Sequence, residues 1–183
     1  MAAAHLAALV GWAVWFARWP VKTLTLTQPF ATLVAFGDKL IETRSWSTKY
    51  RGPLAIHAGA GLGPVGNRRG LVRLLCGSHF QRALGSLYGY GVMSIDAMPR
   101  GAIVATCELV DCVPSEAVMA AFGAYGPEDQ SGGRRLWPLT DQELAFGDYS
   151  PGRYAWLLAD IKPLDTPIPA RGQLGLWDWE GFL

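Results

Sequence analysis

Alternating and periodic apolar positions divide the first part of the chain into a strand and a helix. Residues 23–27 read Thr-Leu-Thr-Leu-Thr, the period of two that is typical of a strand with one buried face. Phe30, Leu33 and Val34 follow at helical spacing, and Gly37 stands where a helix cap belongs. The pattern therefore predicts a strand over residues 23–27 and a helix that begins at residues 28–29.

The same signals continue along the chain. Short apolar segments predict strands over residues 54–58, 102–110, 154–161 and 174–179. Helical patterns cover residues 67–90, with glycine interruptions, and residues 114–121, and a turn or short helical piece covers residues 141–146. Residues 163–169 hold three prolines and are predicted to be an extended connection. Together these elements predict an α+β fold, a small β-barrel of five or six strands with helices inserted after the first two strands. Strands near both chain ends are expected to pair and close it.

A dense polar segment, residues 37–51, interrupts this pattern between two apolar segments. Its charged residues are Asp38, Lys39, Glu42, Arg44, Lys49 and Arg51. Charges held between buried elements are costly unless they pair with one another or face a wet cleft. A linker would carry more Gly, Ser or Pro and fewer large side chains. We therefore interpret the segment as a rigid polar site.

Composition limits the function classes. A chain of 183 residues with 50% hydrophobic residues can fill the core of one domain, which we place at residues 21–183. The formal net charge of +1 argues against coating by nucleic acid, so such contacts must use a local basic patch. Three cysteines without a Cys-x-x-Cys pair indicate reduced thiols and a cytoplasmic protein. The three histidines are scattered, so we predict no metal.

We also predict no cofactor. Gly61, Gly63 and Gly66 match the spacing of a dinucleotide fingerprint. No acidic residue follows them before Asp96, however, and the later pattern is not a βαβ unit. We therefore interpret these glycines as a turn.

Residues 1–20 differ from the rest of the chain. They are rich in Ala and Trp and uncharged until Arg18, and their apolar run is too short to span a membrane. One interpretation is an apolar N-terminal helix that packs on the domain or touches a membrane surface. The other is that translation begins at Val21, since a GTG start codon reads as valine, and that residues 1–20 are not part of the native protein.

The polar segment contains a recognisable motif. Gly37-x-Lys39-x-x-Glu42-x-Arg44 resembles the Gly-x-Lys-x-x-Glu-x-Arg signature of ASCH (activating signal cointegrator homology) domains, which are similar to PUA domains in fold. The flanking motifs also resemble that family. They are Thr27-Gln28-Pro29, residues 50–57 (Tyr-Arg-Gly-Pro-Leu-Ala-Ile-His), residues 154–158 (Tyr-Ala-Trp-Leu-Leu), Arg171-Gly172 and Leu176-Trp177-Asp178. The resemblance spans residues 21–179 and implies a PUA-like barrel with a cleft walled by the signature.

The resemblance implies two kinds of activity. Most ASCH domains are described as nucleic-acid-binding modules, which implies RNA or a modified nucleoside or nucleotide as the ligand. One small bacterial branch hydrolyses N4-acetylcytidine with the signature Lys, a Thr three residues later and a distant Glu. Lys39 matches that Lys, but Glu42 occupies the position of the Thr, and Glu108, Glu116 and Glu128 are all candidates for the distant Glu.

Residue chemistry gives candidates for each function. Lys39 and Glu42 are the candidate catalytic pair, and the alternative is an ion-pair network with Arg44 that holds the segment in shape. The candidate contacts to nucleic acid combine guanidinium and ammonium groups for phosphate, a ring for stacking and an amide for a base edge. These candidates are Gln28, Arg44, Trp46, Lys49, Arg51 and Arg171.

A third hypothesis is a non-enzymatic adaptor that binds a protein through the aromatic C-terminal strand. We predict no membrane partner.

Overall fold

Six strands and five α-helices form the described part of this computed structural model, which comprises residues 20–62, 67–88, 95–125 and 139–181. The strands are β1 (Val21–Leu26), β2 (Ile41–Arg44), β3 (Gly52–Ala58), β4 (Ala102–Pro114), β5 (Tyr154–Pro169) and β6 (Leu176–Trp179). The helices are α1 (Phe30–Ala35), α2 (Arg68–Leu75), α3 (Ser78–Tyr88), α4 (Ser115–Tyr125) and α5 (Asp141–Phe146), with a 3-10 turn at Ile95–Ala97. The predictions for residues 1–19, and for Gly63 and Gly66 of the predicted turn, lie outside these ranges. None of the described helices is both long and apolar enough to cross a membrane.

One mixed sheet joins all six strands in the order β2-β5-β4-β3-β1-β6. β1 and β3 run parallel, while the other neighbouring pairs are antiparallel. The predicted α+β class and strand number are thus confirmed. The chain ends do meet in the sheet, because β6 pairs with β1 from Val21↔Trp179 to Leu24↔Leu176.

The prediction of a closed barrel was wrong. β2 and β6 are the two edges of the sheet, and no strand pairing joins them in the described ranges. β1 cannot close the barrel on β2, because β3 and β6 already occupy its two hydrogen-bonding sides. The sheet nevertheless curls far enough for a β2 side chain to reach β1: Arg44 Nη2 donates to the carbonyl oxygen of Thr25 at 2.6 Å. The result is an incomplete barrel whose gap is bridged by a side chain.

Two other elements differ from the prediction. The signature itself contributes a strand, β2, which the prediction lacked. The strands predicted at residues 23–27 and 54–58 are β1 and β3, and the inserted helices follow these two strands as predicted. The proline-rich segment 163–169 belongs to β5 instead of forming a separate connection. β2 pairs with β5 only as far as Leu157, so the rest of β5 has β4 as its one described strand neighbour. Proline is tolerated there because an edge strand has one side without ladder bonds.

The helix patterns agree well with the sequence analysis. The interrupted helix predicted over residues 67–90 is a pair, α2 and α3, with a break at Cys76 and Gly77. The cap predicted at Gly37 is present: its φ is +79°, and its N–H donates to the carbonyl oxygen of Val34 at 2.9 Å. The N–H of Asp38 donates to Leu33 at 2.9 Å, which completes a Schellman motif. This cap ends α1 and turns the chain into the signature.

Apolar residues are buried on both faces of the sheet, since Leu54 and Ile56 belong to one cluster and Ala55 to another. α1 buries Ala31, Val34 and Ala35 against the apolar residues of β1, β3, β4 and β5. A second apolar cluster joins α2 and α3 to Leu33 and Phe146. Trp177 and Trp179 are buried with Val21, Ala55 and Ile103. The aromatic rings of β6, on which the adaptor hypothesis depended, are therefore core residues.

Candidate functional site

The signature places Lys39 inside the protein. The residue is 0% exposed, and its Nζ donates a hydrogen bond to the carbonyl oxygen of Ile41. Nζ also lies 3.6 Å from Glu42 Oε2, while Glu42 Oε1 lies 3.2 Å from Arg44 Nε. Glu42 Oε1 and Arg44 Nε form an ion pair but not a hydrogen bond, since Arg44 Nε has no hydrogen-bond partner among the described residues. The three signature side chains thus form the ion-pair network that was one of the two hypotheses.

A distant carboxylate, Glu143, completes this network. Glu143 is 4% exposed, and its Oε1 accepts a hydrogen bond from the backbone N–H of Leu40. Oε2 is buried and has no hydrogen-bond partner in the described chain. Burial raises the pKa of Glu143, and the positive charge of Lys39 and the N–H of Leu40 partly oppose that rise. The positive charge of Lys39 therefore acts on two carboxylates, as the ion-pair partner of Glu42 and as a charge that opposes the rise in the pKa of Glu143.

The sequence contains a signal for Glu143 that the analysis did not use. Thr140 and Glu143 have the Ser/Thr-x-x-Glu spacing of a helix capping box. The Thr140 hydroxyl does accept from the N–H of Glu143 at 3.1 Å. In a capping box the Glu side chain returns to its own helix, but here Glu143 Oε1 bonds to Leu40. Glu143 therefore occupies a capping-box position of α5 but bonds to the backbone of the signature.

Tyr149 lies beside the two carboxylates. Its hydroxyl is buried and has no hydrogen-bond partner among the residues described. Burial raises the pKa of this phenol, and the negative charges of Glu143 and Glu42 raise it further. Tyr149 is accordingly a neutral O–H group at pH 7.

A cavity of about 780 Å³ occupies the gap of the incomplete barrel. Its walls come from β1, from β2 and the residues that follow it, from the end of α5 and from the loop before β6. The lining residues are Leu24, Thr25, Leu26, Thr27, Phe30, Glu42, Thr43, Arg44, Ser45, Trp46, Ala145, Phe146, Gly147, Asp148, Arg153, Gln173, Leu174 and Gly175. Lys39 lies behind Glu42 and is not part of this lining.

Each arginine in the cavity has an acidic partner. Arg44 pairs with Glu42, and Arg153 Nε lies 3.3 Å from Asp148 Oδ2. Arg153 Nη2 also donates to the carbonyl oxygen of Thr43 at 3.2 Å. Hydrogen bonds from Ser150 lower the pKa of Asp148, and the charge of Arg153 adds to this effect. The two arginines and two carboxylates of the cavity balance in charge.

The other predicted contact residues divide between the cavity and places outside it. Trp46 lines the cavity and packs edge-on against Trp156, with ring centroids 4.6 Å apart. Lys49 and Arg171 are exposed and lie outside the lining. Arg51 also lies outside it, where its Nη2 pairs with Asp111 Oδ1 at 2.7 Å and holds the loop to β4.

Gln28 is engaged within the protein. Its Oε1 accepts from the N–H and the hydroxyl of Thr32, at 3.2 and 2.9 Å. Its Nε2 donates to the carbonyl oxygen of Pro99 at 2.7 Å. Gln28 thus fixes the start of α1 and does not line the cavity.

Sequence reasoning missed Asp148, Arg153 and Leu174 of the cavity. Asp148 and Arg153 lie in a polar turn before β5, and turns of that composition are common at protein surfaces. Leu174 is a single apolar residue in a loop, which no periodic pattern identifies. No cluster of His, Cys, Asp and Glu suited to a metal ion occurs in the part of the chain that the structure describes.

Comparison with protein families gives a match over most of the chain. The model of the ASCH domain matches residues 24–167. The chain belongs to the ASCH family. Two crystal structures of the ASCH protein from Zymomonas mobilis are similar to it. One is a tyrosine-to-phenylalanine mutant with 16% identity and a TM-score of 0.41, covering 81% of this chain and 75% of that chain. The other has 15% identity and a TM-score of 0.41, covering 81% and 73%. A search of curated protein sequences finds no match.

Within this ASCH domain, the two described candidates for a distant Glu, Glu108 and Glu116, have contacts away from Lys39. Glu108 lies on β4 opposite Pro53, where burial and the charge of Asp160 raise its pKa. Glu116 accepts a hydrogen bond from the N–H of Gly152 at 2.7 Å. Glu128 lies outside the described residues. Glu143 is therefore the carboxylate that the fold adds to the signature.

Proposed function

We propose that this ASCH domain binds RNA, or a nucleoside or nucleotide unit of it, in the cavity between β1 and β2. One observation carries the proposal: an indole ring, two guanidinium groups and two carboxylates converge on a single cavity. They are Trp46, Arg44, Arg153, Glu42 and Asp148. A volume of about 780 Å³ falls in the range of small-molecule sites, roughly 300–1,000 Å³.

The chemistry of the lining suits a nucleobase. Aromatic side chains stack on the flat faces of unpaired bases, and polar side chains bond to their edges. A guanidinium group has five N–H donors, more than the described contacts of Arg44 or Arg153 use. Glu42 and Asp148 supply acceptors for the amino groups of a base.

The balanced charge of the cavity indicates which part of the ligand enters it. A phosphate inside the cavity would face Glu42 and Asp148 as well as the arginines. An uncharged heterocycle meets no such repulsion, while its edge can use both donors and acceptors. We therefore place the base in the cavity and the phosphates of a bound strand outside it.

Matched single-charge variants test the proposal. Short single-stranded RNAs and nucleosides are titrated by calorimetry into the wild type, Arg44→Ala and Lys49→Ala. Each substitution removes one positive charge, but Arg44 lines the cavity and Lys49 does not. We expect Arg44→Ala to weaken binding about tenfold or more, and Lys49→Ala to change it less than twofold at 0.15 M salt.

Two outcomes would contradict the proposal. Equal losses in both variants would indicate attraction to the general surface charge rather than binding in the cavity. The absence of binding by the wild type to every RNA and nucleoside would remove the proposed ligand class altogether. Thermal unfolding of each variant controls for loss of fold.

A further inference from the structure

The loop before β6 presents a leucine to solvent at the cavity. Leu174 is 98% exposed, although it is one of the residues that line the cavity. Single exposed apolar residues are common on protein surfaces. Leu174 differs from these in position, because it lines the same cavity as Trp46 and the arginines Arg44 and Arg153.

The backbone of this loop is held in place on its inner side. Ala170 accepts a hydrogen bond from His57 Nε2 at 3.0 Å, and its N–H donates to Gly101 at 2.9 Å. The Thr25 hydroxyl donates to the carbonyl oxygen of Gln173 at 3.0 Å and accepts from Trp177 Nε1 at 3.1 Å. The position of Leu174 therefore follows from contacts on either side of it, and its side chain makes little contact of its own.

Glycines on both sides of Leu174 allow this arrangement. A Cβ atom at Gly172 would lie 2.4 Å from His57 Cε1, so the loop approaches the ring as closely as a residue without a side chain permits. Gly175 has a φ of +72°, a left-handed conformation that turns the chain into β6. The loop is thus built to hold its backbone against β1 and β3 while Leu174 remains outside.

We propose that Leu174 is a ligand-binding residue that covers the exposed face of the heterocycle bound in the cavity. This inference rests on the proposed function, since it requires a base in the cavity. Covering an apolar side chain with a flat ring removes apolar surface from water, which makes the free energy of binding more favourable in proportion to the area covered. In the free protein the side chain of Leu174 is exposed to solvent. Leu174 therefore contributes to affinity for the base and not to stability of the fold.

The test compares Leu174→Ala with a control that shortens another exposed apolar side chain. Met119→Ala serves as the control, because Met119 is 38% exposed on α4 and lies outside the cavity lining. The probes are adenosine, guanosine, cytidine and uridine, their 5′-monophosphates, and ribose 5-phosphate, which has the sugar and phosphate without the base. Calorimetry gives the affinity, and thermal unfolding and sedimentation give stability and mass.

We expect Leu174→Ala to weaken binding of a base-containing probe about five- to thirtyfold without lowering the unfolding temperature. Any binding of ribose 5-phosphate should stay within twofold, and Leu174→Phe should retain or improve the affinity for bases. Met119→Ala should bind like the wild type.

Three results would overturn the inference. Unchanged affinity for every base in Leu174→Ala, while Arg44→Ala loses binding, would reject the role of Leu174 and leave the proposed function intact. A wild type that binds no probe would reject both. Conversion of a wild-type dimer into a monomer by Leu174→Ala, with unchanged affinity, would show that a second copy of the chain covers the residue.

Discussion

Replacement of Lys39 by methionine tests whether the signature lysine is structural. Methionine keeps much of the length and apolar volume of the side chain but removes its charge and hydrogen bond. The carbonyl oxygen of Ile41 then loses its hydrogen-bond donor, and Glu42 and Glu143 both lose the positive charge of Lys39. Removal of one partner from a buried charge pair costs about 3–5 kcal/mol, because the other charge stays buried and unpaired. We expect a loss of this size, a large fraction of the roughly 5–15 kcal/mol that stabilises a typical domain.

The measurement is urea unfolding followed by circular dichroism, at pH 7 and at pH 5. Burial raises the pKa of Glu143 in the folded state, so the folded protein binds more protons than the unfolded chain between the ordinary and the raised value. The free energy of unfolding contributed by Glu143 therefore increases as the pH falls through the raised value. Loss of the nearby cation enlarges this effect, so Lys39→Met should be less destabilised at pH 5 than at pH 7.

Two further variants complete the experiment. Glu143→Gln combined with Lys39→Met should cost about 1–3 kcal/mol less than the sum of the single changes, because the second substitution removes the unpaired charge. Lys49→Met, at an exposed site, should stay within about 0.5 kcal/mol of the wild type. A loss below about 1 kcal/mol for Lys39→Met, with a native spectrum, would refute the structural role and return Lys39 to the list of candidate catalytic groups.

Three other features give shorter tests. Gly172→Ala should displace the loop from the ring of His57, lowering stability by about 1–3 kcal/mol and weakening ligand binding. Gly37→Ala, where no atom lies within 4 Å of the new Cβ, should lose only about 1–2 kcal/mol from its positive φ and keep ligand affinity. Equal ligand affinities of Gly172→Ala and Gly37→Ala would contradict the role of the loop in binding. Burial lowers the pKa of His57, and its hydrogen bond to Ala170 only partly opposes this, so the unfolded chain binds the proton more readily. Stability should therefore fall on acidification below the ordinary value of 6.5, by up to about 1.4 kcal/mol per pH unit, and His57→Gln should remove that part of the slope in unfolding curves from pH 5 to 8. Burial raises the pKa of Cys107 to about 12, so mass spectrometry should find iodoacetamide on the exposed Cys76 at pH 8 while Cys107 stays unmodified until the protein unfolds. Equal labelling of both thiols in the native protein would contradict the burial.

Local signals in the sequence predict the local parts of this fold. The alternating Thr and Leu residues of β1 and the left-handed cap at Gly37 follow from short-range backbone and packing rules. The signature was harder to interpret, because β2 is four residues long and carries Glu42 and Arg44 on a strand. Charges at alternate positions of a strand indicate a solvated face, whereas here they meet a cavity and a buried lysine.

The closure of the sheet and most of the site depend on long-range contacts. β2 could pair with β1 only if β3 or β6 did not already pair with it. No local sequence pattern predicts which strands pair with β1. Glu143 and Arg153 reach the signature from about 100 residues away, through contacts to Leu40 and Thr43. Pattern reasoning found the motif but could not identify these partners.

The pairing of β2 with β5 has a consequence for the order of events during synthesis. The strand that carries Glu42 and Arg44 is held in the sheet by residues 154–157, more than 100 positions later. Contacts between such distant positions form slowly and after local structure, because a long loop must close first. A growing chain on the ribosome therefore exposes the signature long before its cavity exists. The proposed ligand can bind only after β5 has emerged, so its binding would require that most of the domain has folded.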